Sequence, residues 1–335
     1  MASMSLTSQL RDKSSAASRF FAERFPDTRS AQRNLVARAA NSKTLLPEVS
    51  GTYQWNTVGK AIDYRIRLAF PQAMAYADRW DFIAPEEFAL VTGPELPPPL
   101  PAEHAASNLR LYEWAATFFA SLRDTLLAAA DQSPPSPDME QELARHCYVL
   151  GLYDDAYRMG LRGPSPLYDV PASAGVAAIP RLCPDGTVAD IVAMSHLFRE
   201  TQADLLAPGR EVVLGRGLAG SGDVGGADFD LLVDGCLIDV KATKDVGSLG
   251  GIPWAWQLLG YVLLDYEDAL AVRSLGLYLA RQGLLVEWPL DDFCEMLGAS
   301  KPSPLADLRK DFRKAVKSGR SAPSSLGAAG TLPSD

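Results

Sequence analysis

The sequence predicts an α/β protein, with a central sheet flanked by helices. Three observations predict it. Asp234-Gly235 joins two short apolar-alternating runs, the strongest local signal of a two-residue hairpin. A second pair of strand-like runs, 275–281 (LGLYLAR) and 284–290 (LLVEWPL), meets at Gln282-Gly283. Between and around them lie helical stretches with apolar stripes, such as Ile62, Ile66 and Phe70, or Leu305, Leu308, Phe312 and Val316.

Composition is that of an ordinary globular chain. It has 335 residues, 47% apolar and 22% charged, room for one large domain or two smaller ones. No run of 18 apolar residues suggests a transmembrane helix, and MASMSLTSQLRDK has no apolar core of a secretory signal, so a cytoplasmic location is expected. The four cysteines, Cys147, Cys183, Cys236 and Cys294, lack C-x-x-C spacing, which argues for free thiols rather than a zinc site or an iron–sulfur cluster. The net charge of −9 is unevenly spread. Residues 1–67 carry eleven Lys/Arg and five Asp/Glu, net +6, and residues 301–320 carry seven and two, net +5. Two basic ends suit a phosphate backbone; two solvated helix faces would look the same.

Taken in order, residues 5–25 read as one amphipathic helix ended by Pro26, and about 30–40 as a second, short one. After a loop at 41–56, a helix runs from Thr57, its expected N-cap, to Phe70. Asp63 and Arg67 lie four apart on it, the spacing of a plain surface ion pair. Residues 92–103 (TGPELPPPLPAE) form a proline-rich connector. Helices follow at about 104–131 and 137–160, the second opened by Ser136-Pro137-Asp138. His104 and His146 are read as ordinary residues. A loop at 161–187 leads to a helix at 187–206, where His196 and Glu200 share a face. A strand at 210–214 precedes Gly215-Arg-Gly217-Leu-Ala-Gly220. That glycine pattern does not open a helix in a βαβ unit, so a dinucleotide site is rejected and a flexible loop expected. A helix from Trp254 to Leu264, the two strands already named, a helix at 304–318 and a disordered tail from 319 complete the chain.

The chemistry concentrates on the hairpin. A two-residue turn fixes the register: Val233 opposite Cys236, Leu232 opposite Leu237, Leu231 opposite Ile238, then Asp230 opposite Asp239 and Asp228 opposite Lys241. Period two places Phe229, Leu231, Val233, Cys236, Ile238 and Val240 on one face and Asp228, Asp230, Asp239 and Lys241 on the other. Three carboxylates this close repel unless a cation sits among them, and their oxygens suit hard cations such as Mg²⁺ or Mn²⁺. Lys241 adds a donor able to hold a water or a phosphate. The plain alternative is a solvated strand face with one Asp–Lys pair.

Asp230…Asp239-Val240-Lys241 resembles the core of the PD-(D/E)XK nuclease superfamily, its RecB-like branch in particular. Gln257-Leu-Leu-Gly-Tyr261 is similar to the branch's Gln-x-x-x-Tyr helix motif, and Gly59-Lys-Ala-Ile-Asp63 to its Gly-x-x-x-His helix motif, with Asp63 where His is usual. The resemblance covers about 57–70 and 211–290. It implies a restriction-endonuclease-like fold, a mixed central sheet with a helical insertion. The expected segments are a basic helical region (1–56), the motif helix (57–91), a connector and insertion (92–186), the nuclease core (187–300) and a basic helix with tail (301–335).

It also implies roles. Asp230, Asp239 and the Val240 carbonyl would hold Mg²⁺ or Mn²⁺, with Asp63 as a further ligand and Glu200 its substitute. Lys241 would position or help deprotonate the attacking water. Gln257 and Tyr261 would orient substrate. The expected activity is metal-dependent hydrolysis of DNA, in the setting of bacterial antiviral defence or DNA repair, with DNA and other subunits of such complexes as partners and no membrane. An RNA-cleaving nuclease of the same fold, or an inactive nucleic-acid-binding scaffold, are the alternatives.

Overall fold

The computed structural model describes residues 5–48, 54–73, 117–159 apart from 131 and 133, and 165–320 apart from 216, 252 and 300–302. The proline-rich connector at 92–103, His104 and the tail beyond 320 lie outside the described residues. Five strands form one mixed sheet in the order β1-β2-β3-β4-β5: β1 Val212–Leu214, β2 Leu231–Val233, β3 Cys236–Lys241, β4 Ser274–Leu279 and β5 Leu284–Pro289. Neighbours are antiparallel except β3 and β4, which run parallel. The crossover that parallel pairing needs is the helix Trp254–Leu264.

Helices cover both faces. They are α1 Leu6–Arg11, α2 Ala16–Arg24, α3 Thr28–Ala39, α4 Trp55–Arg67, α5 (117–130), α6 Pro137–Met159, α7 Asp185–Thr201, α8 Ser221–Val224, α9 Trp254–Leu264, α10 Leu290–Met296 and α11 Leu305–Arg320. One core joins α4, α5, α6 and α7 to Leu231, Val233, Ile238 and Val240. The other joins α1, α2, α3, α9, α10 and α11 to Leu232, Leu237, Leu275, Leu277 and Leu279. Strand residues alternate between the two, so a strand buried on both faces reads as a near-continuous apolar run. The helices expected as an insertion thus share one core with the motif helix and the sheet.

Several boundaries differ from expectation for local reasons. The first expected helix is two, because Ser15 accepts from Ser18 N–H and caps α2 while Asp12 ends α1. Helix α4 starts at Trp55, and Thr57 is not its N-cap: Thr57 is buried and donates to Gln54 Oε1. The segment before α7 makes short 3₁₀ turns, and α7 begins at Asp185 and ends at Thr201. Helix α10 was not expected, although Pro289 and the acidic Asp291 and Asp292 in its first turn are start signals. His146, read as an ordinary residue, is buried, stacked on Phe118 and bonded to the Glu142 carbonyl.

Candidate active site

The hairpin forms as its turn residues dictate. Asp234 and Gly235 have φ of 48° and 78°, both positive as a type I′ turn requires. The register matches through three pairs: Val233 with Cys236, Leu232 with Leu237, Leu231 with Ile238. It then stops. The Asp230 carbonyl accepts from Gly215 N–H at 2.9 Å, and Asp228 bridges to Gly217. Val240 N–H, which a longer ladder would pair with Phe229, donates instead to Asp230 Oδ2 at 2.7 Å. Two expectations therefore fail. Asp228 pairs toward β1 rather than opposite Lys241, and Phe229 packs in the second core with Leu237, not beside Leu231.

The departure aims the Asp230 carboxylate into the sheet end where Asp239 and Lys241 sit. Lys241 Nζ lies 2.5 Å from Asp239 Oδ2, with side chains 21% and 3% exposed. That contact is an ion pair made off the hydrogen-bonding direction, since Asp239 Oδ2 has no hydrogen bond of good geometry. Asp63 arrives from α4 on the opposite layer. Its pair with Arg67 forms, but it is no surface pair: the two side chains are 14% and 8% exposed. Arg67 Nε donates to Asp63 Oδ1 at 2.9 Å, and Nη2 binds Asp63 Oδ2 and reaches Asp230 Oδ1 at 3.2 Å. Three carboxylates thus enclose two cations, Arg67 and Lys241. Arg67 is the site residue that sequence spacing alone did not single out.

The electrostatics reflect that crowding. Burial pushes the Asp63 carboxyl up to about 7; Arg67 pulls it down, while Asp230 and Asp239 push it further up. Burial also raises Asp239 to about 6 against the pull of Lys241. Burial opposes the Lys241 charge, yet Asp239 and Asp230 outweigh it and hold its pKa above the ordinary value. Its carboxylate neighbours thus favour the ammonium form of Lys241.

Helix α9 supplies the remaining expected pair. Gln257 and Tyr261 are buried, four apart, and Gln257 Nε2 donates to Tyr261 Oη at 2.6 Å. Burial, then the charges of Asp239 and Asp230, hold the Tyr261 phenol well above its usual pKa, which places it beside the cluster. Glu200 is exposed on α7.

Glycine at 215 is demanded by this arrangement. A Cβ there would sit 2.4 Å from both Arg67 Nη1 and the Phe229 carbonyl, and backbone cannot yield cheaply. Gly215→Ala is expected to displace Arg67 and lower stability by about 1–3 kcal/mol, the ordinary cost of overpacking. Chemical denaturation checks this, and an unchanged midpoint would contradict it. A second expectation concerns pH. A carboxyl raised in the fold contributes stability below its unfolded pKa, 3.8 for Asp63, and loses that contribution as pH rises through about 7. Wild type should therefore lose stability relative to Asp63→Asn between about pH 4 and about pH 8. Parallel stability profiles for the two proteins would refute the raised carboxyl.

The donor chemistry fits a hard divalent cation in part. Asp230 and Asp239 offer oxygens from adjacent strands. Val240 lies beside Asp230, to which its N–H donates at 2.7 Å. Asp63 is engaged by Arg67 through two hydrogen bonds. Among the described residues, no group of three or more His, Cys, Asp or Glu side chains is arranged to hold a metal ion. The fitting set is two carboxylates and a carbonyl. Compared with protein-family models, curated proteins and solved structures, the chain matches none.

Proposed function

We propose that this chain is a metal-dependent phosphodiesterase that cleaves DNA, built on a restriction-endonuclease-like core. The observation that supports it most is the convergence of Asp230, Asp239 and Lys241 at one sheet end, with Gln257 and Tyr261 of α9 beside them. A bound Mg²⁺ or Mn²⁺ would supply an activated water and neutralise phosphate charge. Asp230, Asp239 and the Val240 carbonyl would hold it. The Lys241 ammonium, fixed by Asp239, positions the water and steadies negative charge gathering on the phosphate. Its carboxylate neighbours favour that charged form. Arg67 keeps Asp230 oriented from behind, and the Gln257–Tyr261 pair presents polar groups to the substrate.

Incubation of the full chain with linear, circular and single-stranded DNA, and with RNA, with and without Mg²⁺ or Mn²⁺, tests the reading. DNA cleavage that needs the metal supports it. Cleavage of RNA alone would transfer the activity to RNA, and no metal-dependent cleavage of any of them would leave a binding or scaffold protein.

A further inference from the structure

A second feature lies where the N-terminal helices meet the start of α9. Helices α1, α2 and α3 and the start of α9 enclose a groove of about 550 Å³. Arg11, Lys13 and Arg19 line it, all exposed, and among its described lining residues none is a carboxylate. Asp12, between two of these cations, is turned onto Ser14, whose N–H and hydroxyl both donate to Asp12 Oδ1. Arg19 donates to the Ser14 carbonyl at 2.7 Å, so the turn between α1 and α2 holds the cations as a group. They belong to the basic N-terminal segment, net +6 over residues 1–67.

The rest of the wall is mixed, with the polar Ser18, Thr28 and Gln32 among apolar residues. Leu10 and Trp254 contribute to it, and the Trp254 indole N–H is spent on Gln32. Trp256, which also lines the groove, donates its N–H to the Phe25 carbonyl. Clustered cations beside a wall whose two indole donors are both engaged suit a phosphate backbone rather than base edges. The volume is that of a site for a ligand of drug-like size, which admits one or two nucleotides of a single strand and not a duplex.

We propose that this groove binds the phosphate backbone of a single nucleic-acid strand, a substrate-binding role that rests on the hydrolytic reading above while the ligand itself does not. Binding of a short labelled single-stranded DNA to the full chain, read by fluorescence anisotropy in EDTA over a series of salt concentrations, tests it. Two variants are compared with wild type: Arg11→Ala/Lys13→Ala/Arg19→Ala, and Arg11→Glu/Lys13→Glu, which leaves the Arg19–Ser14 bond in place. Losing three phosphate contacts should cut the slope of log affinity against log salt by about 2, and weaken binding about 10- to 100-fold at about 0.1 M salt. The double variant should weaken binding likewise, and a blunt duplex should bind less well than the single strand. Wild-type affinity and slope in both folded variants, or no binding by wild type, would overturn the groove. So would complete displacement of the strand by millimolar inorganic phosphate, which would make it a site for a lone phosphate. Because binding is read without metal, the two proposals separate. Binding that depends on the groove in a protein that cleaves nothing keeps the groove and removes the hydrolysis; cleavage and binding indifferent to both variants do the reverse.

Discussion

Lys241→Ala is expected to lower metal-dependent DNA cleavage by about 10²–10³-fold while the protein stays folded, the scale of removing one well-placed donor to developing charge. The side chain is 21% exposed and ends a strand, so its loss opens no core cavity. Its chemical neighbourhood changes instead. Asp239 is buried, and Lys241 is the charge that pulls its carboxyl down most. Without the ammonium the carboxyl rises further and stays protonated to higher pH, which weakens its grip on a divalent cation. The rate should therefore fall most at low pH and partly recover as pH rises. Lys241→Arg should not restore it, because a planar guanidinium cannot replace a compact ammonium at so short a contact. Cleavage at the wild-type rate by folded Lys241→Ala would remove the strand cluster from the chemistry.

How far the site could be read from the chain follows from which forces are local. The Asp234-Gly235 turn needs positive φ at two adjacent residues, so it and three rungs of register were legible. The departure after Leu231 was not, because it depends on Gly215 and Arg67, distant in sequence, meeting the Asp230 segment. Leu232 and Leu237 on the supposedly polar face were a usable warning that both faces are buried. Asp63 and Arg67 show the limit most plainly. An i, i+4 acid–base pair looks identical on a solvated helix and in a buried cluster; only the packing of α4 against the sheet decides between them. The same holds for the broken first helix, where the Asp12-Lys13-Ser14-Ser15 turn chemistry was present but the continuing apolar pattern argued against a break.

The largest stability effect is expected away from the cluster, at Asp190. Arg281 has no exposed surface, and its guanidinium meets Asp190 through two bonds of 2.8 Å, Nη1 to Oδ1 and Nη2 to Oδ2. Its Nε donates to the Ala242 carbonyl at 3.0 Å, directly after Lys241. Leu45 N–H returns a bond to the Arg281 carbonyl at 2.8 Å. One residue thus ties α7, the segment around Leu45 and the exit of β3 together. Such a pair is costly to break from one side, because the survivor is left charged and buried. Asp190→Ala should lower unfolding free energy by about 3–5 kcal/mol, against about 1 kcal/mol or less for an exposed pair such as Arg24–Asp311. Asp190→Leu combined with Arg281→Met should recover much of the loss, since neither charge then remains to be solvated. Urea unfolding of the single variants and the double separates the cases. If Asp190→Ala cost no more than disrupting the exposed pair, Arg281 would have to reach water, and it would not be the clamp that holds the end of β3.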